Sequence, residues 1–265
     1  MCIRDSRQLK QEVVSYEAID NGSSVTVKQS VKVSGVQAEK VNGYGDTKTT
    51  ITPVKEPLND ANTHFINNQE WTIYADGTVV CQSVLLPRGN PLELLRLGYE
   101  FQFPANLGNV TYYGRGPEEN YADRKSGMPL GVYKTTAKDS FFPYGRPQDC
   151  GNHEDTRWVA VTDDKGQGLL FGSLGTPFAF SAIPYTTTEL ILANHPVELP
   201  KTTDRTVLVL SAATRGLGGA SCGPGPMSRD IIKANKPYPM SFFIRPVTAK
   251  SYKGELRVPA AELDM

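Results

Sequence analysis

The sequence has little that would direct it to a nucleic acid or a membrane. Lys+Arg and Asp+Glu each number 28 in 265 residues, so the formal net charge is +0. A neutral chain without a basic block lacks the electrostatic footprint of a protein that binds nucleic acid or an anionic membrane surface. No apolar run approaches the ~20 residues that span a bilayer. We therefore expect neither nucleic acid nor membrane as a partner. A neutral ligand such as a sugar is compatible with this charge balance, and so are many other partners.

Cysteine and histidine are also scarce. Four cysteines are spread along the chain, at Cys2, Cys81, Cys150 and Cys222. They are too far apart for a C-x-x-C metal or redox motif, and we expect free thiols, although disulfides between distant cysteines stay open. The three histidines are scattered as well, at His64, His153 and His195. Because no two of these residues have metal-ligand spacing, the sequence predicts no metal site.

Helical periodicity is nearly missing, and a period of two takes its place. Val25, Val27, Val31 and Val33 alternate with polar residues. Such alternation is typical of strands with one buried face. Two hairpins are predicted where turn residues separate apolar runs, at 76–77 (DG) and at 163–166 (DDKG).

Further strands are predicted at 178–183, 189–193, 206–212, 241–245 and 255–258. Only 230–235 could hold one or two helical turns. Gly and Pro number 24 and 19 and supply turns throughout. Many short strands with frequent turns indicate an all-β sandwich or barrel. Residues 42–68, rich in Gly, Thr, Asn and Pro, are interpreted as a long loop in preference to a linker.

The densest polar chemistry lies at residues 112–124, which read YYGRGPEENYADR. Gly and Pro indicate a turn, and opposite charges beside tyrosines favour a hydrogen-bonded loop. We predict a rigid polar corner. Its structural residues are Arg115, Glu118, Asn120, Asp123 and Arg124, with ion pairs among the charged ones.

Two more motifs follow the corner. Residues 144–158 read YGRPQDCGNHEDTRW, in which Asn152 is a structural residue and Asp155 and Arg157 are interpreted as an ion pair that fixes the loop. Trp158, and Trp71 earlier in the chain, are predicted core residues. Residues 215–224 read RGLGGASCGP, a glycine-rich loop that allows a close backbone approach or a turn with positive φ.

In this order, the three motifs resemble the C-terminal domain of bacterial glycoside hydrolase family 2 β-galactosidases, which is domain 5, of the β-galactosidase small chain type. The resemblance runs from about residue 9 to about residue 246. It implies one domain at 9–265, N-terminally incomplete, after a non-native or truncated start at 1–8. Asp149 stands where the family more often has Glu, and Cys222 stands where many members have Trp.

The resemblance implies a large two-sheet antiparallel supersandwich like that of galactose mutarotase. It also implies an accessory domain of a retaining β-galactosidase, forming one wall of the sugar pocket and supporting assembly. The catalytic glutamates of the family lie on a separate (β/α)8 barrel, so this chain alone is expected to be inactive and to carry no catalytic residue. The implied partners are the rest of the parent chain, a β-galactoside and, for assembly, further copies. No cofactor is expected here, because Mg and Na are bound by other domains of the family.

The resemblance also marks the glycine-rich loop as close to the substrate. In family members that have Trp at the position of Cys222, the indole ring stacks on the sugar. A cysteine there would provide no such stacking face. The substrate-proximal residues implied are Gly218, Gly219, Ser221, Cys222 and Gly223.

Two other functions stay open: a free-standing carbohydrate-binding or aldose-epimerase-like module, and a structural β-sandwich. An epimerase would need its own acid and base, for which His153 is a candidate, although a structural hydrogen bond is the favoured role of this residue. A catalytic carboxylate pair among Glu118, Glu119 and Asp123 is disfavoured, because the flanking arginines make ion-paired acids that are poor proton donors.

Overall fold

The computed structural model describes residues 8–36, 38–40, 51–53, 63–89, 94–219, 223–233 and 236–248. The described strands are β1 (Gln8–Asp20), β2 (Ser24–Val36), β3 (Ala38–Lys40), β4 (Ile51–Pro53), β5 (Thr63–Tyr74), β6 (Val79–Gly89), β7 (Arg96–Pro104), β8 (Asn109–Arg115), β9 (Leu130–Thr136), β10 (Asn152–Thr156), β11 (Trp158–Thr162), β12 (Gly168–Ser173), β13 (Phe178–Ile183), β14 (Arg205–Thr214) and β15 (Tyr238–Val247). One α-helix, α1 (Thr187–Leu192), and two 3-10 helices, Pro196–Glu198 and Ser228–Asp230, complete the described elements.

Two antiparallel sheets make up most of the fold. The larger has nine strands in the order β1-β2-β5-β6-β15-β12-β11-β8-β9, and the smaller has four in the order β10-β13-β14-β7. β3 and β4 form a separate two-stranded sheet. This architecture confirms the predicted all-β, two-sheet antiparallel fold. No helix among the described residues is long and apolar enough to cross a membrane.

The main core lies between the two sheets. The nine-stranded sheet contributes buried residues that include Val110, Tyr112, Val159, Phe171 and Phe242, and the four-stranded sheet contributes Phe178, Phe180, Ala182, Leu208 and Leu210. Aromatic rings meet edge to face across the layer, as between Tyr112 and Phe180, whose centroids are 5.0 Å apart. Such pairs stabilise a core beyond the area that they bury.

The two tryptophans occupy different places in this packing. Trp71 of β5 is partly buried and packs edge-on against Phe242 in the main core. Trp158 is buried on the opposite face of the nine-stranded sheet, in a second cluster with Ala160 and Phe243. All five residues of β11 are buried because both faces of this strand are covered. The predicted core role of both residues is confirmed.

Most predicted strands and both hairpins are present. Gly77 and Gly166 have φ of +84° and +73° in the turns that join β5 to β6 and β11 to β12. The predicted strand at 178–183 is β13, and those at 206–212 and 241–245 lie within β14 and β15. The one at 255–258 is outside the described residues.

Two predictions of local structure were wrong. Residues 187–192 form a helix where a strand was predicted at 189–193, because Thr186 caps the backbone N–H of Glu189 and the Glu189 carboxylate accepts from the Thr186 N–H. The candidate helix at 230–235 is not formed in its described part: the 3-10 turn Ser228–Asp230 ends at residue 230, and Ile232 forms a bridge to Leu94. Residues 234 and 235 lie outside the described residues. In the predicted loop at 42–68, the described residues 51–53 and 63–68 are strand.

Candidate functional site

The corner begins where β8 ends at Arg115. The Arg115 side chain donates to the Asp155 carboxylate and, through Nη1, to the Met128 carbonyl at 2.9 Å. Lys125 Nζ donates to the other Asp155 oxygen at 3.0 Å. Burial alone would raise the pKa of Asp155, but the hydrogen bonds from Arg115 and Lys125 outweigh it and lower that pKa from its ordinary value. Asp155 is therefore an anion held by two cations and is a poor proton donor.

Asn120 is fully buried at the centre of the corner. Its Nδ2 donates to the carbonyls of Arg115 and Glu118, each at 3.0 Å, and its Oδ1 accepts from the Glu154 N–H at 2.8 Å. Its backbone N–H donates to the Asn152 carbonyl at 2.7 Å. The Asn120 side chain, itself fully buried, thus binds three backbone groups, and it holds the corner against β10.

Glu119 links the corner to the loop before β10. Its carboxylate accepts from the Gly151 N–H at 2.8 Å and from the Tyr144 hydroxyl. Arg124 lies 3.7 Å from the same carboxylate, and 59% of its side chain is exposed. Glu119 is therefore held chiefly by partners from the second motif, and Arg124 adds a peripheral ion pair.

His153 of β10 is buried and is held by two oxygens of neighbouring segments. Its Nδ1 lies 3.0 Å from the Arg115 carbonyl and 3.0 Å from the Tyr112 hydroxyl. Because a carbonyl only accepts, Nδ1 carries the proton. Burial lowers the pKa of His153 to about 4, and the hydrogen bond to the Arg115 carbonyl acts in the opposite direction without outweighing it. A neutral, enclosed imidazole of this kind has the structural role that was predicted.

Arg96 of β7 joins the second motif to the smaller sheet. Its guanidinium pairs with the Asp149 carboxylate, and Nη1 donates to the Ser181 hydroxyl at 3.2 Å. Tyr121 of the corner donates to the Asp149 carbonyl at 3.4 Å. Arg96 was not predicted as part of the site, because it stands in an ordinary alternating strand more than fifty residues before its partner.

The glycine-rich loop lies against the corner through Asp123. The two oxygens of the Asp123 carboxylate accept from the backbone N–H groups of Leu217 and Gly218, at 3.0 and 2.7 Å. A Cβ on Gly216 would lie 2.7 Å from Asp123 Cγ, so only glycine allows the carboxylate to approach. Gly218 has φ of +59°, in the left-handed region that favours glycine. The first and third motifs therefore meet at one carboxylate.

The partners of several predicted residues differ from those expected. The ion pairs expected among Glu118, Asp123, Arg115 and Arg124 are replaced, since Arg115 pairs with Asp155 and Asp123 binds backbone N–H groups. Glu118 takes part through its carbonyl. The reason is the β8–β11 ladder, which brings the second motif closer to Arg115 than the corner's own acids.

Arg157 was expected to pair with the Asp155 side chain. Its guanidinium donates instead to the Asp155 backbone carbonyl and lies over the Tyr113 ring, with 5.6 Å from Cζ to the centroid. Asp155 has φ of +52°, so its side chain turns to Arg115 and Lys125. Sequence reasoning did not assign Lys125, although it directly follows the motif at 112–124.

The predicted substrate-proximal residues are only partly described. Gly219 donates its N–H to the Pro224 carbonyl at 2.9 Å and accepts from the Gly223 N–H at 2.6 Å, which closes the loop. Ser221 and Cys222 lie outside the described residues. Within the described part of the chain, no group of three or more His, Cys, Asp or Glu side chains is arranged to hold a metal ion.

A polar cleft of about 510 Å³ lies at the other end of β8, where Asn109 begins the strand. Lys138, Lys165 and Arg205 contribute positive charge to its wall, and Asp163 and Asp164 contribute negative charge. The cleft wall carries charges of both signs and, among the described residues, no aromatic side chain. The corner, in contrast, contains three tyrosines. The two features are separated by the length of β8, about 20 Å.

The fold and the corner together define a two-sheet antiparallel β-sandwich domain in which three polar motifs form one rigid end. The model of the family described as "Beta galactosidase small chain" matches residues 6–244. The chain belongs to this family.

Similar proteins include several β-galactosidases. The chain is 35% identical over 178 residues to a β-galactosidase of Priestia megaterium, covering 67% of this chain and 17% of that protein. It is 43% identical over 143 residues to β-galactosidase BgaC of Bifidobacterium adolescentis, covering 53% and 13%. A β-galactosidase small subunit of Latilactobacillus sakei is 38% identical over 159 residues, covering 56% and 49%. The chain thus spans less than a fifth of the first two relatives and about half of the third.

Among solved structures, a protein of Escherichia coli K12 described provisionally as an aldose 1-epimerase matches with a TM-score of 0.36 and 10% identity. The match covers 88% of this chain and 69% of that one. This likeness is too distant to support a functional argument.

Proposed function

We propose that this chain is the C-terminal accessory domain of a β-galactosidase of glycoside hydrolase family 2, and that its corner and glycine-rich loop form one wall of the sugar pocket. The observation that carries the proposal is the contact between Asp123 and the N–H groups of Leu217 and Gly218. Leu217 and Gly218 lie 94 and 95 residues after Asp123 in the sequence, so this contact joins two distant motifs into one surface. A surface fixed by backbone hydrogen bonds can orient a ligand without supplying the chemistry.

The carboxylates of the first two motifs support an accessory role rather than a catalytic one. A retaining glycosidase needs a proton donor and a nucleophile about 5 Å apart and both available to the sugar. Asp155 is bound by Arg115 and Lys125, and Glu119 is bound by Tyr144 and the Gly151 N–H. These acids serve as hydrogen-bond acceptors inside the fold. We place the catalytic glutamates on a separate (β/α)8 barrel, in the same polypeptide or in a partner subunit, and we place any Mg and Na there as well.

The relatives are compatible with a barrel in the same polypeptide and with a barrel in a partner subunit. The Priestia megaterium relative is a single β-galactosidase of which this chain covers 17%, whereas the Latilactobacillus sakei relative is called a small subunit. In either case the proposed partners are a barrel-bearing polypeptide and a β-galactoside, and the domain would contribute to assembly.

The alternative of an aldose-epimerase-like module is less well supported. Proton transfer at a sugar carbon needs an accessible acid and base. His153, the candidate base, is 4% exposed and is hydrogen-bonded to the Arg115 carbonyl. A buried imidazole that is held in this way cannot reach a ligand without opening the corner.

Complementation tests the proposal. The purified chain, produced in a host that lacks β-galactosidase, is assayed with a chromogenic β-galactoside alone and together with a barrel-bearing β-galactosidase polypeptide from which the C-terminal domain has been removed. We expect no hydrolysis by the chain alone and recovery of hydrolysis in the mixture. A barrel variant with its catalytic glutamates changed to Gln is the control and should not be rescued. Hydrolysis by the chain alone, persisting through further purification, would overturn the proposal.

A further inference from the structure

We propose that Asp123 is a positioning residue that fixes the conformation of the glycine-rich loop at 215–219, and through this loop the shape of the sugar-facing wall. This inference rests in part on the proposed function, since the sugar-facing role of the loop belongs to that proposal. The anchoring itself concerns only this chain. Asp123 is not assigned a contact with the sugar or a part in bond cleavage.

The first argument is the geometry of the carboxylate. Asp123 Oδ1 accepts from the Leu217 N–H at 3.0 Å, and Oδ2 accepts from the Gly218 N–H at 2.7 Å. Two successive N–H groups that point to one carboxylate form an anion-binding turn of the backbone. Charge-assisted hydrogen bonds of this kind are shorter and stronger than neutral ones. The loop therefore offers its backbone donors to a side chain of the corner.

The second argument is that the loop sequence accommodates the carboxylate. A Cβ at Gly216 would lie 2.7 Å from both Cγ and Oδ2 of Asp123, closer than side-chain atoms approach. The Gly216 N–H donates to the Asp230 carbonyl at 2.8 Å, which holds the other side of the loop. Glycine at 216 thus leaves the space that Asp123 occupies, and the two residues are complementary.

The third argument is that the corner beneath Asp123 is rigid. Tyr121, two residues earlier, is buried, and its backbone pairs with Arg124 in an isolated bridge with N···O distances of 3.4 and 2.8 Å. Asn120 is fully buried and bonded to β10 through Asn152. A short turn between these fixed points gives Asp123 little freedom to move. The loop is therefore fastened to a part of the domain that is itself held by backbone hydrogen bonds.

Asparagine at 123 should not replace aspartate. The amide has one acceptor oxygen, and its NH2 group would oppose one of the two backbone donors. Alanine would remove both hydrogen bonds. We therefore expect Asp123→Asn and Asp123→Ala to release the loop, with the larger effect in the alanine variant.

The experiment has two arms, so that the anchoring and the proposed function can fail separately. In the first arm, amide hydrogen exchange is measured on the whole chain at residues 217 and 218. We expect about a tenfold loss of protection in Asp123→Ala, and a smaller loss in Asp123→Asn, with the β11 amides unchanged. Unchanged protection at both residues would overturn the inference.

In the second arm, the same variants are placed in the complemented enzyme. We expect KM for the β-galactoside to rise about fivefold in Asp123→Ala, with kcat little changed, because a displaced wall weakens binding before and during the reaction alike. Loss of protection with an unchanged KM would keep the anchoring and contradict the sugar-facing role. A raised KM with full protection in the first arm would overturn the anchoring.

Asp139→Asn is the matched control. Asp139 is an exposed acid beyond the far end of β9, where it accepts from the Thr136 hydroxyl at 2.8 Å. An amide oxygen can accept that bond equally well. This variant should keep both the protection at residues 217 and 218 and the KM. A second check uses Gly216→Ala, whose methyl group displaces the Asp123 carboxylate. Gly216→Ala should lower the amide protection at residues 217 and 218 in the parent. It should lower that protection less when it is added to Asp123→Ala, since the effects of residues in contact are coupled.

Discussion

Asn120 and Asn152 hold each other through a reciprocal pair of hydrogen bonds. The Asn120 N–H donates to the Asn152 carbonyl at 2.7 Å, and Asn152 Nδ2 donates to the Asn120 carbonyl at 2.8 Å. Both residues are fully buried. They fasten the corner to β10 by polar contacts that exclude water, so the first two motifs behave as one structural unit.

Asn120→Ala should strongly destabilise the domain. The substitution removes the hydrogen bonds to the carbonyls of Arg115 and Glu118 and leaves the N–H of Glu154, in a buried residue, without its partner. Since a lost hydrogen bond costs about 1 kcal/mol and an unsatisfied buried group about 1–3 kcal/mol, we expect a loss of about 3 kcal/mol in the free energy of unfolding. Urea unfolding of the whole chain measures it. Asn106→Ala, in an exposed turn, is the matched control and should change stability by no more than about 0.5 kcal/mol. Equal stability of the two variants would contradict the assignment.

The two arginines of the first motif should differ in importance. Arg115 holds Asp155 and the Met128 carbonyl, and 26% of its side chain is exposed. Arg124 makes a 3.7 Å ion pair with 59% of its side chain exposed. We expect Arg115→Ala to lower the free energy of unfolding by about 2 kcal/mol and Arg124→Ala to lower it by less than about 1 kcal/mol. Thermal unfolding of both variants tests this order, and a larger effect at Arg124 would show that the corner is held differently.

This order corrects the expectation from sequence, and the reason lies in strand pairing. Neighbouring charges in YYGRGPEENYADR suggest local ion pairs, yet Arg115 pairs with Asp155, 40 residues away. In the antiparallel ladder of β8 and β11, Tyr113 lies opposite Trp158, which brings the end of β8 level with residue 155. The hairpin signals predict adjacent strands well. They do not predict which distant strands pair, and the composition of the site depends on that pairing.

Helix α1 shows the opposite case, in which the information was present in the sequence. Apolar residues at 190–192 resemble a short strand, but Thr186 and Glu189 have the spacing of a capping box. The cap satisfies N–H groups that the first helical turn leaves open. The all-β class was predictable from period-two patterning, because that pattern follows directly from which face of a strand is buried. The pattern left a sandwich and a barrel open, and the two-sheet arrangement was implied by the resemblance to the family. The contacts of Asp123 with the glycine-rich loop were not, because backbone donors leave no sequence pattern.

His153 should make the stability of the domain depend on pH below neutrality. Burial lowers its pKa to about 4, whereas an unfolded histidine titrates near 6.5. Between these values the unfolded chain binds a proton that the folded chain does not, so stability falls as the pH decreases from about 6.5 to about 4. We expect a loss of about 2 kcal/mol between pH 7 and pH 5 from this residue.

The variant His153→Asn isolates that contribution. Asparagine can still donate a hydrogen bond toward the Arg115 carbonyl but does not titrate in this range. Urea unfolding at several pH values should show a shallower decrease in the variant than in the parent. His195→Gln, at an exposed position, should keep the parent slope because His153 is still present. Identical slopes for His153→Asn and the parent would mean that the imidazole is accessible to protons in the folded chain.

Gly218→Ala should disturb the glycine-rich loop, and Gly225→Ala should not. Gly218 has φ of +59°, and a Cβ there would lie 2.6 Å from the Gly225 carbonyl carbon and the Pro226 nitrogen. A Cβ at Gly225 would meet nothing within 4 Å. We expect Gly218→Ala to cost about 2 kcal/mol, from left-handed backbone strain together with the clash, or to displace the loop and expose the Leu217 N–H to exchange. Gly225→Ala should change stability by less than about 1 kcal/mol, because it restricts the unfolded chain and adds no contact in the folded one.

Thermal unfolding of the two variants measures the loss of stability, and amide exchange at Leu217 measures displacement of the loop. In the complemented enzyme only Gly218→Ala should raise KM. If both alanines were tolerated equally, the loop would not need the conformation that brings its N–H groups to Asp123, and the proposal that it shapes a sugar-facing wall would lose its structural basis.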